Sequence, residues 1–198
     1  MKKFELTTEF ITNMFGKKLF RIKALVEFGN VKAGELGGYV EKEENVSQDG
    51  NAWVSGDARV YGDAEVSGDA RVSGNAEVSG NARVSGNARV YGNAWVYGDA
   101  EVYGDAWVYG NAWVSGNARV SSDADYALVQ GFGTEFRCTT FYRGKNKKIM
   151  VNCGCFHGDL EGFRKQVKET RNGKIAKEYL MIADLMEYHF TSEDSSNE

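Results

Sequence analysis

Two thiols and an imidazole near the carboxyl end form a cluster of side chains that could bind a metal ion or react as nucleophiles. Cys153, Cys155 and His157 are separated by single residues, and in a β-strand this spacing sends all three side chains to one face. In a hairpin, Cys138 could lie opposite Cys153, and thiolates and imidazoles are common zinc ligands. The spacing is weaker than paired C-x2-C motifs, however, and buried cysteines commonly act as small apolar residues. Core packing is therefore the favoured interpretation, a structural zinc the alternative, and no cofactor is predicted.

A second candidate site is aromatic. Six rings fall within residues 91–113 at positions expected to face outward: Tyr91, Trp95, Tyr97, Trp107, Tyr109 and Trp113. A contiguous aromatic surface usually marks an interface. The alternatives are stacking that only stabilises the fold, or covering by helices from the carboxyl end. We favour a surface for self-association or for a protein partner.

These rings lie within a strict repeat. Residues 50–121 repeat the hexad G-[N/D]-A-x-V-[S/Y] twelve times, with glycines from Gly50 to Gly116. A fixed period of six is typical of a parallel β-helix. Alternation along a strand puts Ala and Val on one face and x on the other, so Ala and Val are predicted to fill the interior. Gly-Asn or Gly-Asp is predicted to form each corner because these residues tolerate positive φ.

The repeat resembles the hexapeptide pattern of left-handed parallel β-helix proteins, as in Val54-Ser-Gly-Asp-Ala58-Arg. The lead-in over residues 31–54 resembles the start of bacterial YdcK-type repeat proteins. The resemblance implies three hexads per triangular coil, and trimers are common among such proteins, so a homotrimer is expected. Residues 153–163 resemble a small domain that follows such repeats in phage-borne relatives.

A coil of three hexads sorts the outward x positions into three columns, one on each face of the coil. The first face carries Trp53, Arg71, Arg89 and Trp107; the second carries Arg59, Glu77, Trp95 and Trp113; the third carries Glu65, Arg83, Glu101 and Arg119. The third column alternates in charge, which predicts a solvated, stabilising face. Tyr103 is predicted to lie on it.

The predicted fold is mainly β: a left-handed parallel β-helix of about four to five coils with a small cap at each end. Residues 1–49 form an N-terminal β cap, residues 50–125 the β-helix, residues 126–190 an α+β domain and residues 191–198 a flexible tail. Early strands are predicted at residues 3–7 and 18–27, with coiling from about residue 36.

The α+β domain is predicted to contain a strand hairpin and two helices. Its strands are expected at residues 126–130, 135–143 and 148–156. The first helix begins after an N-cap at Asp159. A second, amphipathic helix is predicted from the spacing of its apolar residues: Ile175, Tyr179, Ile182, Leu185 and Met186.

Net charge, cysteine count and targeting signals limit the classes of function and the cellular setting that the sequence predicts. The net charge is −4, so no general attraction for nucleic acid is expected. No signal peptide or membrane span is evident, and three cysteines fit a reducing, cytoplasmic setting.

Residues 50–121 contain neither His nor Cys, whereas repeat acyltransferases and β-helical carbonic anhydrases need histidine on their coils. A non-enzymatic binding or scaffolding protein is predicted, with phage origin and a host defence factor as one setting. The alternative is an atypical hexapeptide-repeat acyltransferase.

Overall fold

The computed structural model describes residues 1–145 and 147–191. The chain forms two compact units, Met1–Asp123 and Ala124–Glu198. Of the predicted flexible tail, residues 192–198 lie outside the described residues.

The centre of the first unit is a parallel β-solenoid of about five turns, which confirms the predicted mainly β fold. Each hexad contributes one short strand made of x and Val, and the strand of each of the first nine hexads pairs in parallel with the strand three hexads later. The strands are β4 (Trp53–Val54), β5 (Arg59–Val60), β6 (Glu65–Val66), β7 (Arg71–Val72), β8 (Glu77–Val78), β9 (Arg83–Val84), β10 (Arg89–Val90), β11 (Trp95–Val96), β12 (Glu101–Val102), β13 (Trp107–Val108), β14 (Trp113–Val114) and β15 (Arg119–Val120).

The interior and the corners follow from the repeat as predicted. Every inward Ala and Val of the hexads is at most 2% exposed. Each hexad glycine has a φ between 61° and 73°, a conformation that costs a residue with a side chain about 1–2 kcal/mol. The space is also closed: a Cβ on Gly86 would lie 2.9 Å from the backbone nitrogen of Gly104 in the next coil. Glycine is therefore required twice, for φ and for the close approach of the coils.

The N-terminal strands extend the sheet of the second face. They are β1 (Phe4–Thr12), β2 (Lys18–Ala24) and β3 (Leu36–Val40). β1, β2 and β3 pair antiparallel, and β3 pairs in parallel with β5, giving the order β1-β2-β3-β5-β8-β11-β14. Coiling thus begins at Leu36, as the sequence predicted. β1 runs to Thr12, well beyond the predicted end of that strand at residue 7.

The solenoid has chemically different ends. Its backbone N–H groups donate to carbonyls of the following coil, as from Asn51 to Gly68 at 2.9 Å. The carbonyls of the first coil therefore point out of the N-terminal end of the stack. At the opposite end the backbone N–H of Trp107 donates to the Asp123 carboxylate at 2.8 Å.

Two buried side chains satisfy carbonyls at the N-terminal end. Lys3 Nζ lies 3.0 Å from the carbonyl oxygen of Ala52 and 3.3 Å from that of Gly50. The Asn45 amide donates to the carbonyls of Ala64 and Gly62 at 2.8 and 3.1 Å. An ammonium and an amide thus cap the carbonyl end, and a carboxylate caps the N–H end.

The second unit combines an antiparallel sheet with two helices. The sheet order is β16 (Tyr126–Phe132), β17 (Arg137–Arg143), β18 (Ile149–Cys153) and β19 (Phe156–Asp159). They are followed by α1 (Leu160–Thr170) and α2 (Gly173–Thr191). Asp159 caps α1 by accepting from the Gly162 N–H at 2.9 Å, as predicted. This bond holds the pKa of Asp159 below its ordinary value.

Two predictions for this unit are wrong. The single strand expected over residues 148–156 is two strands, because Gly154 turns the chain at a φ of 60°. Leu185, grouped by the sequence with the apolar residues of the second helix, is 58% exposed, whereas Ile182 and Met186 are buried. Apolar residues lie on two faces of α2. Ile182 and Met186 are on the face that packs in the core, and Leu185 is on the exposed face.

Candidate protein interface

The structure confirms the three predicted columns. Trp107 is paired with Arg89 on the first face, Trp113 with Trp95 on the second and Arg119 with Glu101 on the third. Because the interior is already filled by Val and Ala, each of these side chains leaves the solenoid outward.

On the second face two indoles form a stack. The ring centroids of Trp95 and Trp113 are 5.2 Å apart with an interplanar angle of 10°, close to the separation of neighbouring parallel strands. Trp113 remains 37% exposed. The ladder therefore fixes both rings in a rigid pair while leaving indole surface open to a partner.

On the first face three rings and a guanidinium pack together. Tyr91 and Tyr109 are stacked at 5.3 Å, and Trp107 meets Tyr91 edge-on at 6.4 Å. The guanidinium carbon of Arg89 lies 4.8 Å from the Trp107 ring centroid, a favourable cation–π distance. Trp107 and Tyr109 are both exposed.

The second face also carries a groove that the sequence did not indicate. The turn between β1 and β2 brings Met14 and Phe15 to the groove wall, and both side chains are largely exposed. The groove has a volume of about 340 Å³. We call it the second-face groove; it is lined by Met14, Phe15, Tyr61, Glu77, Ser79, Trp95, Tyr97 and Trp113. In the sequence, the one signal for it is the apolar pair Met14-Phe15 between the strands predicted at residues 3–7 and 18–27.

The acidic side chain of the second-face groove, Glu77, is hydrogen-bonded within the groove. The Tyr61 hydroxyl donates to the Glu77 carboxylate. Burial, reinforced by this hydrogen bond, raises the pKa of Tyr61 to about 12. Tyr61 therefore stays protonated near neutral pH. Among the described residues that line the groove, Glu77 is the only acidic or basic side chain.

Trp53 is the exception on the first face. It points out of the solenoid like Trp107, yet it is only 2% exposed. Phe4 and Phe28 cover it with edge-on contacts at 6.2 and 5.4 Å. The N-terminal segment therefore packs on the side of the first coil, so the exposed rings of this face belong to the later coils.

The third face has the predicted alternating charge. Its strands follow the order β6-β9-β12-β15, which pairs Glu65 with Arg83 and Glu101 with Arg119. Arg119 forms an ion pair with Glu101. Tyr103 is the exposed ring beside this column, and it supplies a useful control for the other two faces.

The thiol–imidazole cluster is not assembled as predicted. Because the chain turns at Gly154, Cys153 pairs with Phe156 and His157 with Asn152 in the β18–β19 hairpin, which places Cys153 and His157 on opposite faces. Thr139, rather than Cys138, is paired with Cys153, and Cys155 is exposed at the turn. Within residues 1–145 and 147–191, no three His, Cys, Asp or Glu side chains are grouped to hold a metal ion.

Comparison with known proteins identifies the repeat. The family model for the YdcK beta solenoid repeat matches residues 76–91 and 82–98, which span β8 to β11. No curated protein matches the chain significantly. None of the helices in the described part of the chain has the length and apolar character of a membrane span.

Proposed function

Because the chain carries a YdcK-like β-solenoid, we propose that it is a non-enzymatic binding or scaffolding protein that acts through protein–protein contacts. The observation that carries this proposal is the position of the aromatic rings. The solenoid interior is filled by Val and Ala, so the exposed rings Trp107, Tyr109 and Trp113 do not contribute to it. Trp and Tyr are enriched among the residues that dominate binding energy at interfaces.

The geometry of the rings supports binding with little loss of conformational entropy. Trp95 and Trp113 are held by ladder pairing and by stacking on each other before any partner arrives. Preorganised side chains lose fewer rotamers on association, which favours affinity. The neighbouring second-face groove, with Met14 and Phe15 on its wall, offers adaptable apolar contacts beside this rigid pair.

The chemistry of the second-face groove favours an apolar protein segment as its ligand. Its wall is aromatic and aliphatic apart from Ser79 and the Tyr61–Glu77 pair. A partner that presents Leu, Met or aromatic side chains would bury surface at roughly 25 cal/mol per Å². The partner proposed first is a second and third copy of the chain, in a homotrimer.

A triple variant tests the proposal: Trp95→Ala, Trp107→Ala and Trp113→Ala. If the aromatic faces join copies, multi-angle light scattering should show the mass of the wild-type particle fall to that of one chain. Loss of stacking should cost about 0.5–1.5 kcal/mol per ring pair, so circular dichroism must first show that the β-structure remains.

The matched control is Tyr103→Ala, since Tyr103 is 38% exposed but lies on the charged third face. The control should keep the wild-type mass. A wild-type protein that is monomeric, or a triple variant of unchanged mass, would refute self-association through these rings.

Acyl transfer is disfavoured by the repeat itself, which contains no His or Cys over residues 50–121 and therefore lacks the usual general base. Titration calorimetry with acetyl-CoA should give no binding at micromolar concentration. Saturable binding there would replace the scaffold proposal with the enzymatic alternative.

A further inference from the structure

The second-face groove holds one carboxylate among aromatic rings. Glu77 lies beside the rings of Tyr61 and Trp95 in its wall, and neither Lys nor Arg is among the described residues that line it. The faces of aromatic rings are negative and attract cations. The carboxylate and the rings therefore combine a negative potential with an apolar lining, which suits a cation at the end of an aliphatic stem.

The first face shows how this solenoid places a cation on an indole. Arg89 precedes Trp107 by one coil in the ladder, and its guanidinium carbon lies 4.8 Å from the Trp107 ring centroid. On the second face Glu77 precedes Trp95 by one coil in the same way. The ladder position that supplies a guanidinium to Trp107 therefore supplies a carboxylate to Trp95.

One face of the Trp95 indole remains outside the aromatic stack. Trp113 stacks on Trp95 from the following coil, so it covers the face that is turned away from Glu77. Among the cationic side chains that the structure describes, none lies over the Trp95 ring. An added cation can therefore contact the Trp95 ring and the Glu77 carboxylate together.

A complete site of this kind exists in the N-terminal strands. The Tyr39 hydroxyl donates to the Glu9 carboxylate at 3.1 Å. Arg21 Nη1 donates to both groups, at 2.9 Å to the hydroxyl and 3.2 Å to the carboxylate, and its guanidinium carbon lies 5.2 Å from the Tyr39 ring centroid. The Tyr61–Glu77 pair repeats the hydroxyl–carboxylate half of this site. None of the described residues that line the groove supplies the guanidinium.

Arg59, the neighbouring residue of the second column, does not fill this position. It is the ladder partner of Glu77 on the side away from Trp95. It is exposed and does not belong to the groove wall, so solvent and salt screen its charge. The potential inside the groove is therefore set by Glu77 and the rings.

We propose that the second-face groove binds an arginine side chain presented by an apolar segment of a partner protein. The guanidinium stacks on the Trp95 indole and pairs with Glu77, while the apolar neighbours of the arginine pack on Met14 and Phe15. A planar guanidinium serves both contacts better than an ammonium, because it stacks on rings and offers several donors to a carboxylate. The net charge of −4 favours a basic partner over another copy of this chain. This inference rests on the proposed function, in which the groove receives a protein segment.

Isothermal titration calorimetry with the peptide acetyl-Gly-Leu-Arg-Phe-Gly-amide tests the site. The matched peptide carries citrulline in place of arginine, which keeps the shape of the side chain and removes its charge. The wild-type protein should bind the arginine peptide with a Kd on the order of 100 µM. The citrulline peptide should bind about tenfold more weakly, and a lysine peptide should also bind more weakly than the arginine peptide.

Glu77→Gln separates the charge from the shape of the groove. Glutamine keeps an oxygen that accepts from the Tyr61 hydroxyl, and circular dichroism checks that the β-structure remains. The arginine preference should fall to about twofold, while the affinity for the citrulline peptide stays as in the wild type. Glu65→Gln, which removes an exposed carboxylate on the third face, is the matched control and should keep the full preference. A preference that survives Glu77→Gln overturns the assignment.

The outcomes remain distinguishable from those of the function proposal. Equal affinity of the wild type for the arginine and citrulline peptides, or no binding of either up to roughly 5 mM, overturns the arginine site, whatever the light scattering of the aromatic triple variant shows. If the arginine peptide dissociates a wild-type oligomer, the groove belongs to a neighbouring copy and the external partner is overturned. A monomeric wild type that prefers the arginine peptide supports the site and refutes self-association alone.

Discussion

Replacing Lys3 by methionine should destabilise the solenoid, although a charge close to the first residue of a chain is ordinarily expendable. The Lys3 side chain is only 4% exposed. Its ammonium lies within 3.4 Å of three carbonyl oxygens, those of Asp49, Gly50 and Ala52. Methionine keeps most of the aliphatic stem but donates no hydrogen bond, so these carbonyls lose their cap.

The magnitude combines two opposing effects. A hydrogen bond from a charged donor contributes about 1.5–3 kcal/mol, and an unpaired buried carbonyl costs about 1–3 kcal/mol. Against this, burial, together with the nearby Arg71 guanidinium, lowers the pKa of Lys3 from 10.5 to about 8. Burying the ammonium is therefore itself unfavourable. We expect Lys3→Met to lower the free energy of unfolding by about 1–3 kcal/mol at pH 7.

The pH dependence has a definite sign. The folded state releases the Lys3 proton at about pH 8 and the unfolded state at about 10.5, so the unfolded state binds more protons between these values. Wild-type stability should then rise with pH in this window by up to about 3 kcal/mol, a contribution that Lys3→Met lacks. The difference between wild type and Lys3→Met should therefore widen as pH rises.

Guanidinium denaturation followed by tryptophan fluorescence, at pH 7.5 and 9.5, measures this difference. Lys2→Met is the matched control, because the exposed Lys2 ammonium only pairs with Glu43 at the surface, a contact contributing about 0–1 kcal/mol. A Lys3→Met variant no less stable than Lys2→Met, or a difference that narrows toward pH 9.5, would refute the capping role.

Two further predictions concern the corners. Gly86→Ala should cost about 2–4 kcal/mol, because its φ of 67° and the 2.9 Å approach to the Gly104 nitrogen penalise a Cβ twice; thermal unfolding measures this. Gly16→Ala, at a φ of 77° with open space around it, should cost only about 1 kcal/mol, and equal losses would contradict the close-approach argument. Asn81→Asp should cost about 0.5–1 kcal/mol at low salt, since the amide that donates to Asp99 at 2.8 Å becomes a repelling carboxylate; the loss should shrink in roughly 1 M salt. Asn111→Asp should be nearly neutral because Asn111 already acts as the acceptor, from Asn93; a loss equal to that of Asn81→Asp would contradict this reasoning.

The centre of the fold was predictable because a period of six leaves few alternatives. Interior, corners and outward columns all follow from one repeated hexad, and pairs such as Trp95 with Trp113 follow from the three-hexad coil. The same periodicity says nothing about the segments that cover the coils. Trp53 and Trp107 occupy equivalent positions, yet only Trp53 is buried, since Phe4 and Phe28 fold onto it.

The remaining features depend on non-repeated residues. In the sequence Lys3 looks like a solvated charge, and only the position of β1 against the first coil reveals its carbonyl partners. Gly154 lies inside an apolar run that resembles one strand. The sequence does not show that this glycine adopts a positive φ and turns the chain. Met14 and Phe15 become a groove wall only when the β1–β2 turn lies beside the second face.

The terminal caps and the second-face groove impose different constraints on the length of the solenoid. The interiors of successive coils are interchangeable, so a coil could be added or removed in steps of three hexads without altering either capped end. Each added coil displaces the later coils by about 4.8 Å. A coil inserted before Trp95 would move the indole stack away from Met14 and Phe15 and dismantle the groove. One inserted after Trp113 would leave it intact. The groove therefore fixes the number of coils that precede Trp95, whereas the number of coils after Trp113 can vary.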